Sequence, residues 1–253
     1  MRRIVQWAPR TWLIAVVAGC VAVHGMGQRV AQRTPVLVEL FTSEGCSDCP
    51  PADRLLESLD KTQPFPGVQA IVLSEHVTYW DYLGWRDPFS MDEMTQRQQA
   101  YSAQFGLRDI YTPQMVVDGS AQFVGSDRRA LEGAVRAAAA QPKEDVAIDN
   151  AHWSEGSVEF SVRATEHPNV HLIAALSADG THSDVARGEN AGRMLQHVAV
   201  VRVMKSLRGD AVDGRRLTLP GTGVPNGPVR LVVFAVDGKT GHVVGAAEQT
   251  LTR

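Results

Sequence analysis

Apolar and polar positions follow two different patterns along the chain, and the pattern changes near residue 142. Before that point, short apolar runs alternate with amphipathic stretches whose apolar residues recur at helical spacing. In chain order these predict a strand at 36–42, a helix at 52–61, a strand at 68–74, a helix at 90–105, a hairpin at 114–124 and a helix that ends before Pro142. The predicted order over residues 33–142 is therefore β-α-β-α-β-β-α.

After residue 142 the helical periodicity stops, and short apolar runs rich in β-branched residues follow one another. They predict strands at 158–165, 170–176, 198–203, 215–219, 229–236 and 242–250. Turn sequences such as Ala178-Asp179-Gly180 separate several of them. We therefore expect a second, all-β and sandwich-like domain over residues 143–253.

Residues 1–32 have the pattern of an export signal followed by a short linker. Three arginines precede the apolar stretch 12–23, which is too short for a comfortable membrane span. Residues 17–20 (Val-Ala-Gly-Cys) are typical of a lipobox, which would place a lipid on Cys20, whereas residues 25–27 are typical of an ordinary signal peptidase site. Both alternatives stay open, and an uncleaved membrane anchor is a third. In either case we expect an exported protein, periplasmic or attached to the cell envelope, and tethered to the membrane if Cys20 is lipidated.

Charge and motif content exclude several classes of function. The 253 residues carry a formal net charge of −3, and loss of the export segment with its three arginines lowers it to −6. A chain without a broad basic field is not typical of nucleic-acid binding. The sequence has no Ser-His-Asp order, P-loop, GxGxxG or HExxH motif, so neither a hydrolase nor a nucleotide-dependent enzyme is indicated. We expect no cofactor and no resident metal.

The segment Cys46-Ser47-Asp48-Cys49 carries the clearest chemistry, because it follows the first predicted strand and precedes the first predicted helix. Two thiols at this spacing can close a small disulfide ring, and the amide groups and dipole of a helix N-terminus stabilise a thiolate. Pro50 and Pro51 fit the first helical turn, whose N–H groups have no partner within the helix. Together with the element order, this placement predicts a thioredoxin-like fold over residues 33–142. We expect Cys46 to be the more exposed and reactive thiol.

Thr112-Pro113 stands just before the third predicted strand, where thioredoxin-like proteins have a cis-proline. A cis X–Pro bond exposes the preceding backbone for pairing with an extended peptide. The alternative is a trans proline that opens an edge strand, and the topology favours cis. Trp80, in an aromatic segment at 76–89, is a candidate for the floor of such a groove, although packing of this loop against the domain is the simpler interpretation.

Glu39 and His76 are candidates for tuning the cysteines. Glu39 interrupts an apolar strand seven positions before Cys46, so it is either a proton relay for Cys49 or a strand-edge residue that faces water or a lysine. His76 follows the second strand near the same sheet edge. It either stabilises the thiolate, joins both cysteines in binding copper or zinc, or is an ordinary loop histidine, which is the simplest interpretation. Three ligands without a fourth argue against a structural zinc site.

A polar, glycine-containing loop at residues 187–193, followed by His197, is the remaining candidate. It would bind an acidic partner, dock on the first domain, or merely connect two strands. The last of these is the simplest interpretation, because most such segments are surface connections.

Four segments resemble a family of exported bacterial proteins catalogued as domain of unknown function 1223. They are residues 38–53 (VELFTSEGCSDCPPAD), 76–85 (HVTYWDYLGW), 111–117 (YTPQMVV) and 188–193 (GENAGR). The resemblance spans nearly the whole mature chain and implies a thioredoxin-like domain followed by a β-rich domain, without a proven substrate. The family commonly has Gln at the position of Glu44, and an acid two residues before Cys46 opposes formation of a thiolate.

These features predict an exported thiol–disulfide oxidoreductase whose substrate is a protein thiol or disulfide. We expect Cys46 to attack, Cys49 to resolve the mixed disulfide and Glu39 to transfer the proton. Pro113 completes the expected catalytic group by shaping the peptide groove. Thr112, Trp80 and His76 are the expected substrate-binding residues. The alternative is a non-catalytic thioredoxin-fold module that binds copper or a protein partner through the same two cysteines.

Overall fold

The computed structural model describes residues 33–165, 169–207 and 214–252. The predicted export signal and Cys20 lie outside these residues. The first half of the chain contains β1 (Thr34–Thr42), α1 (Pro50–Thr62), β2 (Val68–His76), α2 (Asp92–Phe105), β3 (Gln114–Val117), β4 (Ala121–Val124) and α3 (Arg128–Ala139). Within the part that the structure describes, no helix combines the length and the apolar character needed to cross a membrane.

The second half of the chain is built from strands. They are β5 (Val146–Ser154), β6 (Ser157–Ala164), β7 (Val170–Ala178), β8 (Thr181–Asp184), β9 (Met194–His197), β10 (Val200–Leu207), β11 (Leu217–Pro220), β12 (Pro228–Asp237) and β13 (Val243–Thr252). The six strands expected from the apolar runs are all present. Strands β5, β8 and β9 are additional, and polar residues interrupt all three, which is why the apolar pattern did not mark them.

An eight-stranded sheet runs through both halves, in the order β13-β12-β7-β10-β2-β1-β3-β4. The halves join where β10 pairs in parallel with β2, with Val200 opposite Ser74. The expectation of a separate second domain is therefore corrected, because β7, β10, β12 and β13 extend the first sheet. Strand β2 is buried along nearly its whole length, and without β10 its backbone groups would form an unpaired edge. The fold is mixed α/β with one large sheet and few helices.

Other elements cover both faces of this sheet. Helices α1 and α3 pack on the face that carries Val38 and Leu40 of β1. On the same face, the three-stranded sheet β11-β6-β5 covers β7 and β12, which is a sandwich-like arrangement. Helix α2 covers the other face, where Met94 packs with Leu37 of β1. Because successive strand residues point to opposite faces, α1 and α2 are separated by the sheet.

Helix α1 begins directly at the cysteine motif. Cys49 is its N-cap residue, and prolines occupy its first two helical positions. Three leucines bury its apolar face against the sheet, and Gln63 ends it in the left-handed conformation at φ 44°. The helix therefore fixes Cys49 at the carboxyl-terminal edge of β1.

Candidate functional site

Cys46 and Cys49 form a disulfide at the start of α1, with their Cα atoms 5.4 Å apart. The predicted disulfide ring at a helix N-terminus is thus present. Both residues are buried, Cys46 with 1% and Cys49 with 0% of its surface exposed. The expected difference in exposure between the two thiols is therefore only 1%, and neither is open to solvent, because a segment of the second half covers the motif.

The covering segment is residues 187–193, between β8 and β9, which we name the cover loop. The Asn190 side-chain amide donates hydrogen bonds of 2.8 Å to the carbonyl oxygens of both Glu44 and Cys46. The Ser47 N–H donates to a carboxylate oxygen of Glu189 at 3.1 Å. Arg193 donates to the Asn190 Oδ1 at 2.9 Å and so fixes the orientation of the amide. The simplest interpretation of this loop is therefore wrong, since it docks on the cysteine motif.

The Thr112–Pro113 peptide bond is cis, as the topology predicted. Pro113 is close to the first turn of α1. A side chain at Gly125 would lie 3.0 Å from the Cβ of Ala52 in α1 and 3.1 Å from the Cβ of Pro113. Glycine at 125 thus permits the close approach of these elements, and it places the cis-proline beside the helix that begins at Cys49.

Trp80 connects the segment before Cys46 with the proline loop. Its indole N–H donates to the Thr112 hydroxyl at 2.8 Å. Its Cβ would be 3.0 Å from any Cβ added at Gly45, so the backbone there approaches the tryptophan closely. The structure therefore brings Trp80 together with Thr112, which precedes Pro113, and with Gly45, which precedes Cys46.

Glu39 does not belong to this group, which corrects the predicted proton relay. It is fully buried on the face covered by α2, whereas the adjacent Leu40 packs with α1. Its carboxylate lies 2.5 Å from the Arg97 guanidinium and accepts a 2.6 Å hydrogen bond from the Tyr101 hydroxyl. The sheet separates Glu39 from α1, so its role is a buried ion pair. Neighbouring Glu75 is also buried there, and burial together with Glu39 raises its pKa well above its ordinary value despite Arg97.

His76 is likewise absent from any exposed groove, because only 1% of its surface is accessible. Its Nδ1 lies 2.7 Å from a carboxylate oxygen of Asp87, and its ring lies edge-on to His197 with centroids 4.6 Å apart. Burial alone would raise the pKa of Asp87, but His76 and the N–H groups of Glu44 and Phe89 lower it to about 2. His76 is therefore part of a buried polar network.

Glu44 and His197 link the two halves within this network. The His197 Nε2 lies 3.2 Å from one Glu44 carboxylate oxygen, and the Trp85 indole N–H donates to the other at 2.8 Å. Burial alone would lower the pKa of His197, but Glu44 and then Asp53 raise it above its ordinary value. Glu44, the acid two residues before Cys46, therefore faces the His197 ring and the Trp85 indole.

Asp53 is the site residue that sequence reasoning missed. It lies in the first turn of α1 and is 93% buried, with 7% of its surface exposed. Its Oδ1 accepts a 2.9 Å hydrogen bond from the Thr42 hydroxyl and lies 3.9 Å from the Nδ1 of His197. Burial raises the pKa of Asp53, and the nearby histidines oppose this shift. The available signal was a carboxylate on the apolar face of the predicted helix, four positions after Cys49.

No metal centre is indicated in the ranges that the structure describes. They contain no group of three or more His, Cys, Asp or Glu side chains placed to hold a metal ion. His76, which one alternative makes a third ligand beside the two cysteines, directs its Nδ1 to Asp87. No geometry in these ranges therefore favours the copper-binding alternative.

Comparison with known proteins identifies relatives without an assigned activity. The family model described as "Protein of unknown function (DUF1223)" matches residues 37–234. The crystal structure of protein AGR_C_4864 from Agrobacterium tumefaciens, a structural genomics target, is similar to this chain with a TM-score of 0.63 and 26% identity. The match covers 85% of this chain and 94% of that one. A match to OgpA from Akkermansia muciniphila has a TM-score of 0.24, 10% identity and coverage of 44% and 29%, and carries no argument. No curated protein sequence matches the chain.

Proposed function

This chain belongs to the DUF1223 family, and we propose that it is a thioredoxin-like thiol–disulfide oxidoreductase of the cell envelope. One observation carries the proposal: the Cys46–Cys49 disulfide lies at the N-terminus of α1, and the cis-proline Pro113 is close to the first turn of that helix. A helix N-terminus stabilises a thiolate, and a thiolate is the attacking species in disulfide exchange.

The reaction follows from the order of the two cysteines. In the reduced protein the Cys46 thiolate attacks a substrate disulfide, forms a mixed disulfide and releases one substrate sulfur as a thiolate. Cys49 then loses its proton and attacks the Cys46 sulfur. The second substrate thiolate leaves, so the substrate gains two electrons and the protein disulfide is restored. The reverse sequence oxidises a substrate dithiol.

The substrate class we propose is a protein thiol or disulfide in an extended segment. Thr112 precedes the cis-proline, so its backbone is placed to pair with such a segment, and Trp80 lies beside it through the 2.8 Å hydrogen bond. Because both cysteines are buried beneath Asn190, exchange requires that the cover loop move away. The second half thus controls entry to chemistry located in the first.

Cysteine variants of the full chain test the proposal. We expect the wild type to catalyse reduction of the insulin disulfides. In glutathione buffers, we expect the Cys46–Cys49 pair to titrate as a single two-electron couple with one reduction potential. Cys49→Ser is expected to accumulate mixed disulfides through Cys46, whereas Cys46→Ser is the matched control and is expected to form none. Absence of exchange by the folded wild type across the glutathione potentials would refute the enzyme proposal.

A further inference from the structure

We infer that Asp53 is the acid–base group that exchanges a proton with Cys49, and that His197 positions the Asp53 carboxyl. The inference deepens the proposed function and rests on it. It assigns to a helix residue the role that sequence reasoning gave to Glu39. It also gives the second half of the chain a part in the chemistry, because His197 belongs to β9.

The placement of Asp53 in α1 brings its carboxyl toward Cys49. The Asp53 N–H donates to the Cys49 carbonyl at 3.1 Å, so the two residues lie one above the other in a single helical turn. Side chains four apart on a helix are neighbours, with Cβ atoms about 5–6 Å apart. Helical side chains also lean toward the N-terminus, which directs the Asp53 carboxyl to the preceding turn. Both residues are buried.

The surroundings of the carboxyl suit proton transfer. Thr42 donates a 2.9 Å hydrogen bond to Oδ1, which fixes the carboxyl against the end of β1. The Nδ1 of His197 lies 3.9 Å from the same oxygen and is buried, with no hydrogen-bond partner among the residues that the structure describes. That distance exceeds the usual limit of about 3.2 Å, so a shift of less than about 1 Å would join them. An unpartnered buried nitrogen beside a buried carboxyl is a place where a proton can be accepted.

His197 is itself oriented by the network and reaches toward solvent. Its Nε2 faces Glu44, which leaves Nδ1 directed at Asp53. The other titratable groups near the ring are His76, edge-on at 4.6 Å, and Asp87 behind it. His197 also lines a cavity of about 340 Å³ between α1 and β9, whose wall includes the exposed Lys61. This cavity gives the buried pair a route for exchanging protons with water.

Asp53 acts as a base in one direction of the exchange reaction and as an acid in the other. When the reduced protein resolves a mixed disulfide, the Asp53 carboxylate accepts the proton of the Cys49 thiol. The Cys49 thiolate then forms the bond to the Cys46 sulfur as the bond from Cys46 to the substrate sulfur breaks. In the reverse direction neutral Asp53 gives its proton to the Cys49 thiolate. Burial stabilises the neutral carboxyl, so the group can act as an acid at a pH where an exposed aspartate is ionised.

The test uses ring closure after reaction of the reduced full chain with Ellman's reagent, which needs no physiological substrate. The first thionitrobenzoate is released when Cys46 attacks the reagent, and the second when Cys49 closes the disulfide. Asp53→Asn keeps an oxygen for the Thr42 hydrogen bond but cannot exchange the proton. We expect it to slow the second phase by ~10²-fold or more and to remove that phase's dependence on pH in the carboxyl range, with the first phase within about twofold.

Two further variants complete the test. Glu93→Gln, which removes an exposed carboxylate from α2 on the other face of the sheet, is the matched control and is expected to leave both phases unchanged. His197→Gln keeps a polar side chain but removes the titrating group, and it is expected to shift the pH profile of the second phase while leaving the first. The inference would be overturned if folded Asp53→Asn had the wild-type second-phase rate and an unchanged pH profile. If Asp53→Asn does not fold, the same result in His197→Gln would overturn it. Because Ellman's reagent replaces the protein substrate, this test can refute the role of Asp53 without refuting the proposed exchange with protein substrates, and the reverse also holds.

Discussion

The docking of the cover loop can be loosened at one side chain, Asn190. Its amide donates two hydrogen bonds of 2.8 Å, to the carbonyl oxygens of Glu44 and Cys46. Asn190→Ala removes both donors and also the acceptor of the Arg193 hydrogen bond. The rest of the loop is solvent-exposed, so the substitution acts on the loop and leaves the cores of the sheets unchanged.

The magnitude follows from these two hydrogen bonds. Each typically contributes about 0.5–1.5 kcal/mol net, so their loss favours the open loop by roughly 1–3 kcal/mol. Since about 1.4 kcal/mol changes an equilibrium constant tenfold, the open population should rise by roughly 5- to 150-fold. The Cys46 carbonyl keeps its 3.3 Å hydrogen bond from the Cys49 N–H, which favours the lower part of this range.

The assay is the rate at which a water-soluble phosphine reduces the Cys46–Cys49 disulfide under native conditions, followed by alkylation and mass spectrometry. When the loop recloses faster than the reductant reacts, this rate is proportional to the open population. Gln196→Ala is the matched control, because it removes an exposed amide close to the loop. A rate within twofold of wild type for Asn190→Ala, or an equal increase for Gln196→Ala, would refute the idea that Asn190 closes the site.

Two further predictions concern buried and exposed charge. Arg97→Met leaves Glu39 buried without its cation, so urea denaturation should show a free energy of unfolding lower by about 3–5 kcal/mol. The control is Arg136→Ala, which breaks an exposed ion pair and should change the free energy of unfolding by less than about 1 kcal/mol. The pKa of Glu189 is lowered by its hydrogen bonds from Ser47, so this contact is complete above the ordinary value of 4.5 and is lost as pH falls below it. Phosphine reduction should therefore accelerate on acidification through this range, and Glu189→Gln should abolish that component; persistence of the full acceleration in the variant would contradict it.

Local patterns predicted the elements and the cysteine motif well. The apolar run of β1, the two prolines after Cys49 and the leucine spacing of α1 are all short-range signals. They placed the disulfide at the helix start and Thr112–Pro113 near it, as the structure has them. Such signals work because helix starts and strand ends depend mainly on neighbouring residues.

The side of the sheet on which Glu39 lies was not predictable in the same way. Strand β1 is apolar on both faces, so its pattern does not show which residues face α1 and which face α2. Only the packing of Leu40 with α1 settles this, and it follows from where the helices lie. The same strand alternation that buries Leu40 under α1 directs Glu39 to Arg97.

The contribution of the second half depended on pairing that no local pattern encodes. Asn190 and Cys46 are 144 positions apart, and β10 joins β2 through a single register position. An apolar run predicts that a strand exists but does not identify its neighbour in the sheet. The sequence therefore favours a separate sandwich and a simple connection at the cover loop.

Burial of the disulfide also sets an order of events as the protein matures. In an unfolded chain both thiols are open to oxidants, whereas after Asn190 docks both sulfurs are buried. The loop lies far downstream of the cysteines, so in a chain made from its N-terminus it docks after they have emerged. Cysteines that meet an oxidant in that interval react without waiting for the loop to open. Once the loop has docked, each further exchange depends on its opening, so the folded protein changes its oxidation state more slowly than the unfolded chain does.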